Sequence, residues 1–324
     1  MKLIKSIVWN RSLILNNRRY LKPGIYVLHP CLRAYTRLSL VKKNPVNLPI
    51  TQLRGLKHVV MSIIRHFFLF VVWKKNYSFS GEAVYFSNTP VLEKRELKIF
   101  SLDNKKVLIK AANEESFREN IKLNTLVTSI FSSYVPRLSI FNADAYLYAI
   151  DYISNYSRTI ISKDILLRLF EMYNKYYSVG DKRITTIAEE DVPGEFDFCV
   201  KHIGKPCVEY LHHGDLSRDN MIITTDNKLY LIDFEHLSYY PQFYDVFYYL
   251  INTEVCISED QIDFYDTIGE SFKHFNYDSS EMLHYFELYV IYFYKNHRTV
   301  FHTSQVYRNI FIKVHDRISQ IINT

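Results

Sequence analysis

Two short polar segments, one at each end of an apolar hairpin pattern, constrain this chain more than any other feature. The first begins at His213 and contains Asp215 and, five residues later, Asn220. The second begins at Asp233, directly after an apolar run. Between them, a β-branched run and a cluster of turn residues predict a strand, a tight turn and a second strand. We therefore expect Asp215, Asn220 and Asp233 to be neighbours in space.

These three side chains suit phosphoryl transfer. Two of them can bind Mg²⁺ through oxygen atoms, and the third can accept the proton of an attacking hydroxyl. The alternative is an ordinary hairpin with polar ends, since Asp and Asn are common in turns. A zinc site at His212 and His213 is not expected, because adjacent residues do not offer tetrahedral ligand geometry and no Cys or His partner is suitably spaced.

The pattern H-x-D-x-x-x-x-N, followed by D-F-E, resembles the aminoglycoside phosphotransferase and choline kinase superfamily. Gly214 after the His, and Glu235 where protein kinases carry Gly, favour this superfamily over true protein kinases. The resemblance implies that Asp215 is the catalytic base and that Asn220 and Asp233 are metal ligands. It also implies ATP and Mg²⁺ as cofactors.

Three further roles come with the resemblance. Asp245 opens the next helix and supports the catalytic loop. His213 either orients that loop or is simply a buried, hydrogen-bonded histidine. Glu235 either contacts the second shell of the metal or lies exposed as a supporting residue.

The implied fold class is α+β, a two-lobed protein-kinase-like fold with a small β-rich N-lobe and a large helical C-lobe. We predict a basic N-terminal extension over residues 1–80, an ATP-binding N-lobe and hinge over 81–155, and a helical C-lobe with the acceptor site over 156–324. Apolar stripes at helical spacing after residue 162 agree with the last assignment.

A downstream kinase site requires a phosphate-binding lysine upstream. Lys110 closes the hydrophobic strand pattern at 106–110 and is the predicted lysine. A helix should follow and supply a carboxylate to pair with it. Glu119 is the predicted partner, and Glu115, one turn earlier, is the alternative.

The other cofactor contacts are predicted at a hairpin and at a hinge. The phosphate hairpin lacks the glycines usual in protein kinases after Gly81, so Ser87 and Asn88 are the predicted phosphate contacts. Backbone groups near Asp151 and Ile153 are predicted to receive adenine. A plain buried strand at 145–153 is the alternative.

Charge is distributed unevenly along the chain. Residues 1–81 contain 15 Lys or Arg residues and no acidic residue, whereas residues 82–324 carry 25 basic and 34 acidic residues. A basic segment of this kind attracts phosphate groups, including those of an anionic membrane surface. The apolar runs at 59–64 and 67–73 are too short to span a bilayer and predict either an interfacial element or, for 67–73, a strand of the small lobe.

Together, these features predict an ATP-dependent phosphotransferase that acts on a hydroxyl of a non-protein acceptor, preferably a sugar of a cell-envelope glycan or its lipid-linked precursor. Alternatives are an aminoalcohol or aminoglycoside kinase, with Glu254, Glu259 and Asp260 near a cationic acceptor, and a nucleotide-binding pseudokinase scaffold. Four cysteines without paired spacing, and no signal peptide pattern, predict a cytoplasmic protein, peripheral on the inner face of the membrane. Nucleic acid is not an expected partner, because no recognised binding module appears.

Overall fold

The computed structural model describes residues 14–28, 34–37, 69–73, 79–88, 95–153, 156–158, 163–256 and 265–323. The chain divides into two compact units. The first contains Met1–Thr128 and Pro136–Asn155, and the second contains Ser129–Val135 and Tyr156–Thr324. The predicted domain boundaries at residues 80 and 155 stay predictions.

The first unit is built on an eight-stranded sheet with the order β3-β1-β2-β4-β5-β6-β8-β7, in which every neighbouring pair is antiparallel. Its strands are β1 (Gly24–Leu28), β2 (Ala34–Arg37), β3 (Phe70–Val72), β4 (Ala83–Asn88), β5 (Arg95–Ser101), β6 (Lys106–Lys110), β7 (Leu138–Asn142) and β8 (Leu147–Asp151). Helix α1 (Glu114–Phe131) follows β6.

The described parts of the basic N-terminal region contribute to this sheet. Strand β2 pairs with β4, so hydrogen bonding crosses residue 80. Phe70 and Val72 of β3 are buried in the hydrophobic core of the first unit. Of the two interpretations of residues 67–73, the structure therefore supports the strand, which spans residues 70–72. The apolar run at 59–64 lies outside the described residues. Among the described helices, none combines the length and the apolar character needed to cross a membrane.

The second unit is mainly helical and contains two small antiparallel sheets, with the orders β10-β11-β14 and β13-β12-β9. Its strands are β9 (Tyr156–Arg158), β10 (Lys182–Thr186), β11 (Pro206–His212), β12 (Met221–Thr224), β13 (Leu229–Leu231) and β14 (Ser238–Pro241). Its helices are α2 (Lys163–Tyr177), α3 (Asp197–Val200), α4 (Tyr244–Cys256), α5 (Tyr265–His274), α6 (Ser279–Asn296), α7 (Arg298–Thr303) and α8 (Gln305–Asn323).

Amphipathic helices form the core of the second unit, as the apolar stripes predict. The stripe of α2 is buried at Ile165, Leu166, Leu169 and Phe170. Helix α6 begins with a capping box between Asp278 and Glu281, which satisfies backbone N–H groups that the first turn leaves unpaired. With a strand-rich first unit and a helical second unit, the α+β fold class predicted from the sequence is confirmed.

The predicted catalytic hairpin is present as β12 and β13. Met221 pairs with Leu231 and Ile223 with Leu229. In the turn, Asn227 has a φ of 62°, a left-handed conformation that Asn tolerates better than most residues. The hairpin therefore brings the residue that precedes β12, Asn220, beside the end of β13, where the N–H of Ile232 donates to the Asn220 carbonyl at 3.0 Å.

Candidate active site

Asp245 is the buried anchor of the loop that follows β11. It lies in the first turn of α4 and accepts hydrogen bonds from the backbone N–H groups of His213, at 2.7 Å, and Gly214, at 2.9 Å. Its carboxylate also accepts from the Tyr173 hydroxyl and lies 3.3 Å from His212 Nδ1. Burial opposes ionisation of Asp245, but the hydrogen bond and charge of His212, with His213 and Tyr173, outweigh it and lower the pKa of this carboxyl.

His213 ties the loop to the hairpin. Its Nε2 donates to the Ile232 carbonyl at 2.8 Å, and its Nδ1 faces the N–H of Asp215 at 3.4 Å. A carbonyl can only accept, so the imidazole carries its proton on Nε2. Asp233 directly follows Ile232. The bond from His213 to the Ile232 carbonyl therefore holds the loop beside the backbone that leads into Asp233.

Gly214 adopts a conformation that other residues reach only with strain. Its φ is 82°, and a Cβ at this position would overlap the carbonyl oxygen of His236 and lie 2.9 Å from the Tyr240 ring. The glycine is therefore required both for the backbone turn and for the close approach of the chain after β13.

Alanine substitutions at Gly214 and Gly204 separate the effect of a positive φ from the effect of steric overlap. Gly204 also has a positive φ, of 74°, but nothing lies within 4 Å of the position that a Cβ would take there. We expect Gly204→Ala to cost about 1–2 kcal/mol of unfolding free energy from backbone strain alone. Gly214→Ala should cost clearly more, because a backbone carbonyl cannot move aside. Urea unfolding of both variants measures the difference, and equal losses would contradict the steric explanation.

Both carboxylate oxygens of Asp215 accept hydrogen bonds. The Tyr248 hydroxyl donates to Oδ1 at 2.7 Å, and Asn220 Nδ2 donates to Oδ2 at 3.2 Å. Asp215 is partly exposed, as is Asn220, so the carboxylate is held in place while remaining accessible.

The orientation of the Asn220 amide follows from its neighbours. Nδ2 donates to the backbone carbonyl of Asp215 at 2.7 Å as well as to its carboxylate. Both neighbours are acceptors, so the NH₂ group must face them and the amide oxygen points away. That oxygen is free to coordinate a cation.

Asp233 supplies the second oxygen donor at this end of the hairpin. It is exposed and has a φ of 67°, which turns the chain sharply after β13. One carboxylate and one amide oxygen are hard ligands of the kind that bind Mg²⁺ together with nucleotide phosphates. In the part of the chain that the structure describes, no group of three or more His, Cys, Asp and Glu side chains could hold a metal ion. The donors present fit a metal whose coordination a nucleotide completes. Glu235, two residues later, is exposed.

In the first unit, Lys110 closes β6 as the sequence predicts. Its ammonium donates to the Ala145 carbonyl at 2.6 Å and lies 4.7 Å from the centre of the Tyr146 ring. Burial lowers the pKa of Lys110. Glu115 and Glu119 both lie on α1 with exposed side chains, and the pairing of either with Lys110 stays a prediction.

The predicted phosphate hairpin is β4 and β5, with one difference at its end. Ser87 and Asn88 are the last two residues of β4, paired with Glu96 and Arg95, and are not turn residues as the sequence suggested. The β-branched and aromatic residues before them extend the strand, and the tip that follows lies outside the described residues. Contact of Ser87 and Asn88 with phosphates stays a prediction.

At the predicted hinge, two backbone N–H groups already have partners. Asp151 N–H donates to the Arg137 carbonyl at 3.1 Å, and Tyr152 N–H donates to the Lys105 carbonyl at 2.8 Å. The Asp151 carboxylate is bonded to Lys106 at 2.5 Å. An adenine contact through an N–H group would therefore fall to Ile153, which is partly exposed.

Three side chains that hold the loop were not predicted from the sequence: Tyr248, Tyr173 and His212. Tyr248 follows Asp245 by one helical turn, and this spacing was the available signal, because residues three apart share a helix face. Tyr173 is separated from Asp245 by 72 residues, so no local pattern indicates their contact. His212, at the end of β11, stacks on the Tyr173 ring at 4.7 Å.

Comparison with known proteins gives a family match over the catalytic segment. Residues 204–283 match the family model described as "Phosphotransferase enzyme family". A comparison with curated proteins finds no match.

A comparison with solved structures finds matches at low sequence identity, among them the following three. A choline/ethanolamine kinase family protein from Mesorhizobium loti is 10% identical, with 74% of this chain and 88% of that chain covered and a TM-score of 0.41. Choline kinase LicA from Streptococcus pneumoniae is 13% identical, with 69% and 89% covered and a TM-score of 0.36. Macrolide 2'-phosphotransferase MphH from Brachybacterium faecium is 10% identical, with 71% and 91% covered and a TM-score of 0.41. At these values, the solved structures carry no argument, and the similarity to the family rests on the matched segment.

The matched segment contains the loop from His213 to Asn220, the hairpin and the Asp245 anchor. The resemblance that the sequence motifs indicate is confirmed, and so is the cofactor pair of ATP and a divalent metal ion, which enzymes of this family use. Over residues 204–283, this chain is therefore similar to the kinase-like phosphotransferases of the aminoglycoside phosphotransferase and choline kinase superfamily.

Proposed function

We propose that this protein transfers the γ-phosphate of ATP to a hydroxyl of a non-protein acceptor, with Asp215 as the catalytic base. The arrangement that supports this proposal is the hydrogen-bonded pair of Asp215 and Asn220, tied to the end of β13 where Asp233 lies. A positioned carboxylate, an amide oxygen and a second carboxylate are the protein groups that phosphoryl transfer needs on the acceptor side of ATP.

Asp215 orients the acceptor hydroxyl and receives its proton as the new O–P bond forms, while the bond from the γ-phosphorus to the β–γ bridging oxygen breaks and ADP leaves. Its Oδ2 has the longer of the two carboxylate bonds, to Asn220 at 3.2 Å, and retains acceptor capacity for a hydroxyl. Asn220 and Asp233 would hold Mg²⁺, which supplies positive charge against the phosphate oxygens when it is bound.

The first unit would bind the nucleotide. Lys110, the basic residue that closes β6, would contact the α- and β-phosphates. Glu119 would pair with it once the ammonium leaves the Ala145 carbonyl. Ser87 and Asn88, at the end of β4, would also contact the phosphates.

We favour a sugar of a cell-envelope glycan, or of its lipid-linked precursor, as the acceptor. The support is the charge of the first 81 residues, with 15 basic and no acidic side chains, which suits an acceptor at an anionic surface. The residues considered for a cationic acceptor do not favour either class, because the side chain of Glu254 and all of Glu259 and Asp260 lie outside what the structure describes.

The function is tested by incubating the full chain with γ-labelled ATP and a host extract, then separating lipid, glycan, small-molecule and protein fractions. We expect Mg²⁺-dependent label in the glycan or lipid-linked fraction, lost with a chelator and restored by excess Mg²⁺. Label among small molecules would replace the glycan proposal with an aminoalcohol or aminoglycoside acceptor. Absence of transfer to every fraction, with ATP binding intact, would overturn the kinase proposal.

Association with an anionic surface is tested by vesicle flotation of the full chain. Deletion of the basic region is a poor test, because β1, β2 and β3 belong to the first sheet. We expect flotation with phosphatidylserine-containing vesicles that weakens as salt rises, since several basic residues each contribute about 1 kcal/mol near such a surface. Equal recovery with purely zwitterionic vesicles, or none with either, would contradict a peripheral location.

A further inference from the structure

The Tyr248 hydroxyl has the shorter of the two side-chain contacts to the Asp215 carboxylate. It reaches Oδ1 at 2.7 Å, compared with 3.2 Å for Asn220 Nδ2 at Oδ2. Tyr248 is buried and lies on α4, three residues after Asp245. One face of this helix therefore holds the loop at two points. Asp245 binds the loop backbone, and Tyr248 binds the carboxylate of Asp215.

We propose that Tyr248 is a positioning residue that fixes the rotation of the Asp215 carboxylate so that Oδ2 faces the acceptor hydroxyl. This inference rests on the proposed function of Asp215 as the base. A short Asp side chain has two rotatable bonds, and separate donors on its two oxygens restrict both of them. Each oxygen accepts from one of these donors and has a second lone pair, and Oδ2, which has the longer bond of 3.2 Å, retains more capacity to accept from a hydroxyl.

The tyrosine remains a donor over the range in which the enzyme would work. Burial, together with the hydrogen bond to Asp215, raises the pKa of Tyr248 well above its ordinary value, so the phenol stays protonated. Loss of the Tyr248 hydroxyl should therefore leave the Asp215 carboxylate less ordered.

Other titratable groups also face Asp215 from the elements around it. His213 lies on the same loop, Tyr240 on β14 and His297 directly after α6. Burial raises the pKa of Tyr240 to about 12, and burial lowers the pKa of His297. Tyr240 is therefore neutral in any practical assay.

The helix offers a matched control for removal of a buried tyrosine hydroxyl. Tyr244, one turn earlier on α4, is fully buried, and its hydroxyl has no hydrogen-bond partner among the described residues. Its ring lies 6.0 Å from that of Tyr248. Tyr248→Phe and Tyr244→Phe therefore remove the same atom from neighbouring buried sites, and only the first removes a donor to Asp215.

The test combines steady-state transfer from γ-labelled ATP with ¹³C NMR of the full chain at one fixed neutral pH, using labelled aspartate carboxyl groups and Asp215→Asn to assign the Asp215 signal. We expect Tyr248→Phe to lower kcat about tenfold and to leave the KM for ATP unchanged, because the hydroxyl positions the base and does not contact the nucleotide. The Asp215 carboxyl signal should shift in the same variant, since its hydrogen-bond donor is lost. Tyr244→Phe should change none of these.

An unchanged kcat and an unchanged Asp215 carboxyl signal in Tyr248→Phe would overturn the positioning role. If the carboxyl signal shifts but the wild-type protein transfers no phosphate to any fraction, the proposed function fails and only the hydrogen bond between Tyr248 and Asp215 is supported. Circular dichroism and unfolding midpoints of the two Phe variants show that both are folded, so a loss specific to Tyr248→Phe is assigned to the missing hydroxyl.

Discussion

Asp215→Asn is expected to lower kcat by about 10²–10⁴-fold, the usual contribution of a positioned general base. The Asn amide has nearly the same shape and can still accept from Tyr248, so folding and ATP binding should be retained. In place of the second carboxylate oxygen, the Asn side chain has an NH₂ group, which cannot accept the proton of the acceptor hydroxyl. The measurement is steady-state transfer from γ-labelled ATP to the acceptor fraction identified in the extract.

Asp219→Asn is the control for this experiment. Asp219 lies in the same loop, its side chain is 77% exposed, and its ion-pair partner Arg218 is at 4.0 Å. An exposed pair of this kind contributes little, so near wild-type transfer is expected from the control. Full activity in Asp215→Asn, or an equal loss in both variants, would show that Asp215 is not the base.

Asp245→Ala is expected to reduce the free energy of unfolding by about 3–5 kcal/mol, the usual loss when one partner of a buried charged network is removed. The truncation leaves the N–H groups of His213 and Gly214 buried without their acceptor. Asp245→Asn should reduce the free energy of unfolding by less, because its amide oxygen can still accept a hydrogen bond from one of these two N–H groups. Urea unfolding measures both, and a loss below about 1 kcal/mol for the Ala variant would contradict the anchoring role.

The same residue predicts a pH dependence with a defined sign. The folded pKa of Asp245 is lowered, so the unfolded chain binds the proton more readily than the folded protein. Its contribution is present above the unfolded pKa of about 3.9 and is lost as pH falls through the folded value. Stability of the wild type should therefore fall more steeply below about pH 4 than stability of Asp245→Asn. Glu287, whose pKa is also lowered, to about 2, is common to both proteins and cancels in this comparison.

The catalytic hairpin was predictable because its signals are local. A β-branched run, turn residues and a second apolar run specify β12, the turn at Asn227 and β13 without help from distant residues. Once the hairpin forms, chain connectivity alone brings Asn220 beside the end of β13. Helix α4, which contains Asp245 in its first turn, was predictable in the same way, from its apolar spacing and this acidic residue.

In the N-terminal region, local sequence patterns do not identify which strands pair with each other. Within residues 1–80, β1, β2 and β3 pair in the sheet of the first unit, and the sequence identified none of these pairings. Strand pairing depends on partners far along the chain, such as β2 with β4, and charge on exposed strand faces does not oppose it. The sequence could therefore indicate a strand at 67–73 as an alternative but could not identify its neighbour.

By itself, the sequence determined the chemistry available to this protein: which carboxylates, amide and lysine it has, and the hairpin that brings three of them together. Only the tertiary structure decided how Asp215 is held. The bond from Tyr248 spans 33 residues, and it depends on the rotation of α4 about its axis, which core packing and the Asp245 anchor set. Rotation of a packed helix is a property of all its contacts at once, so no single stretch of sequence contains it.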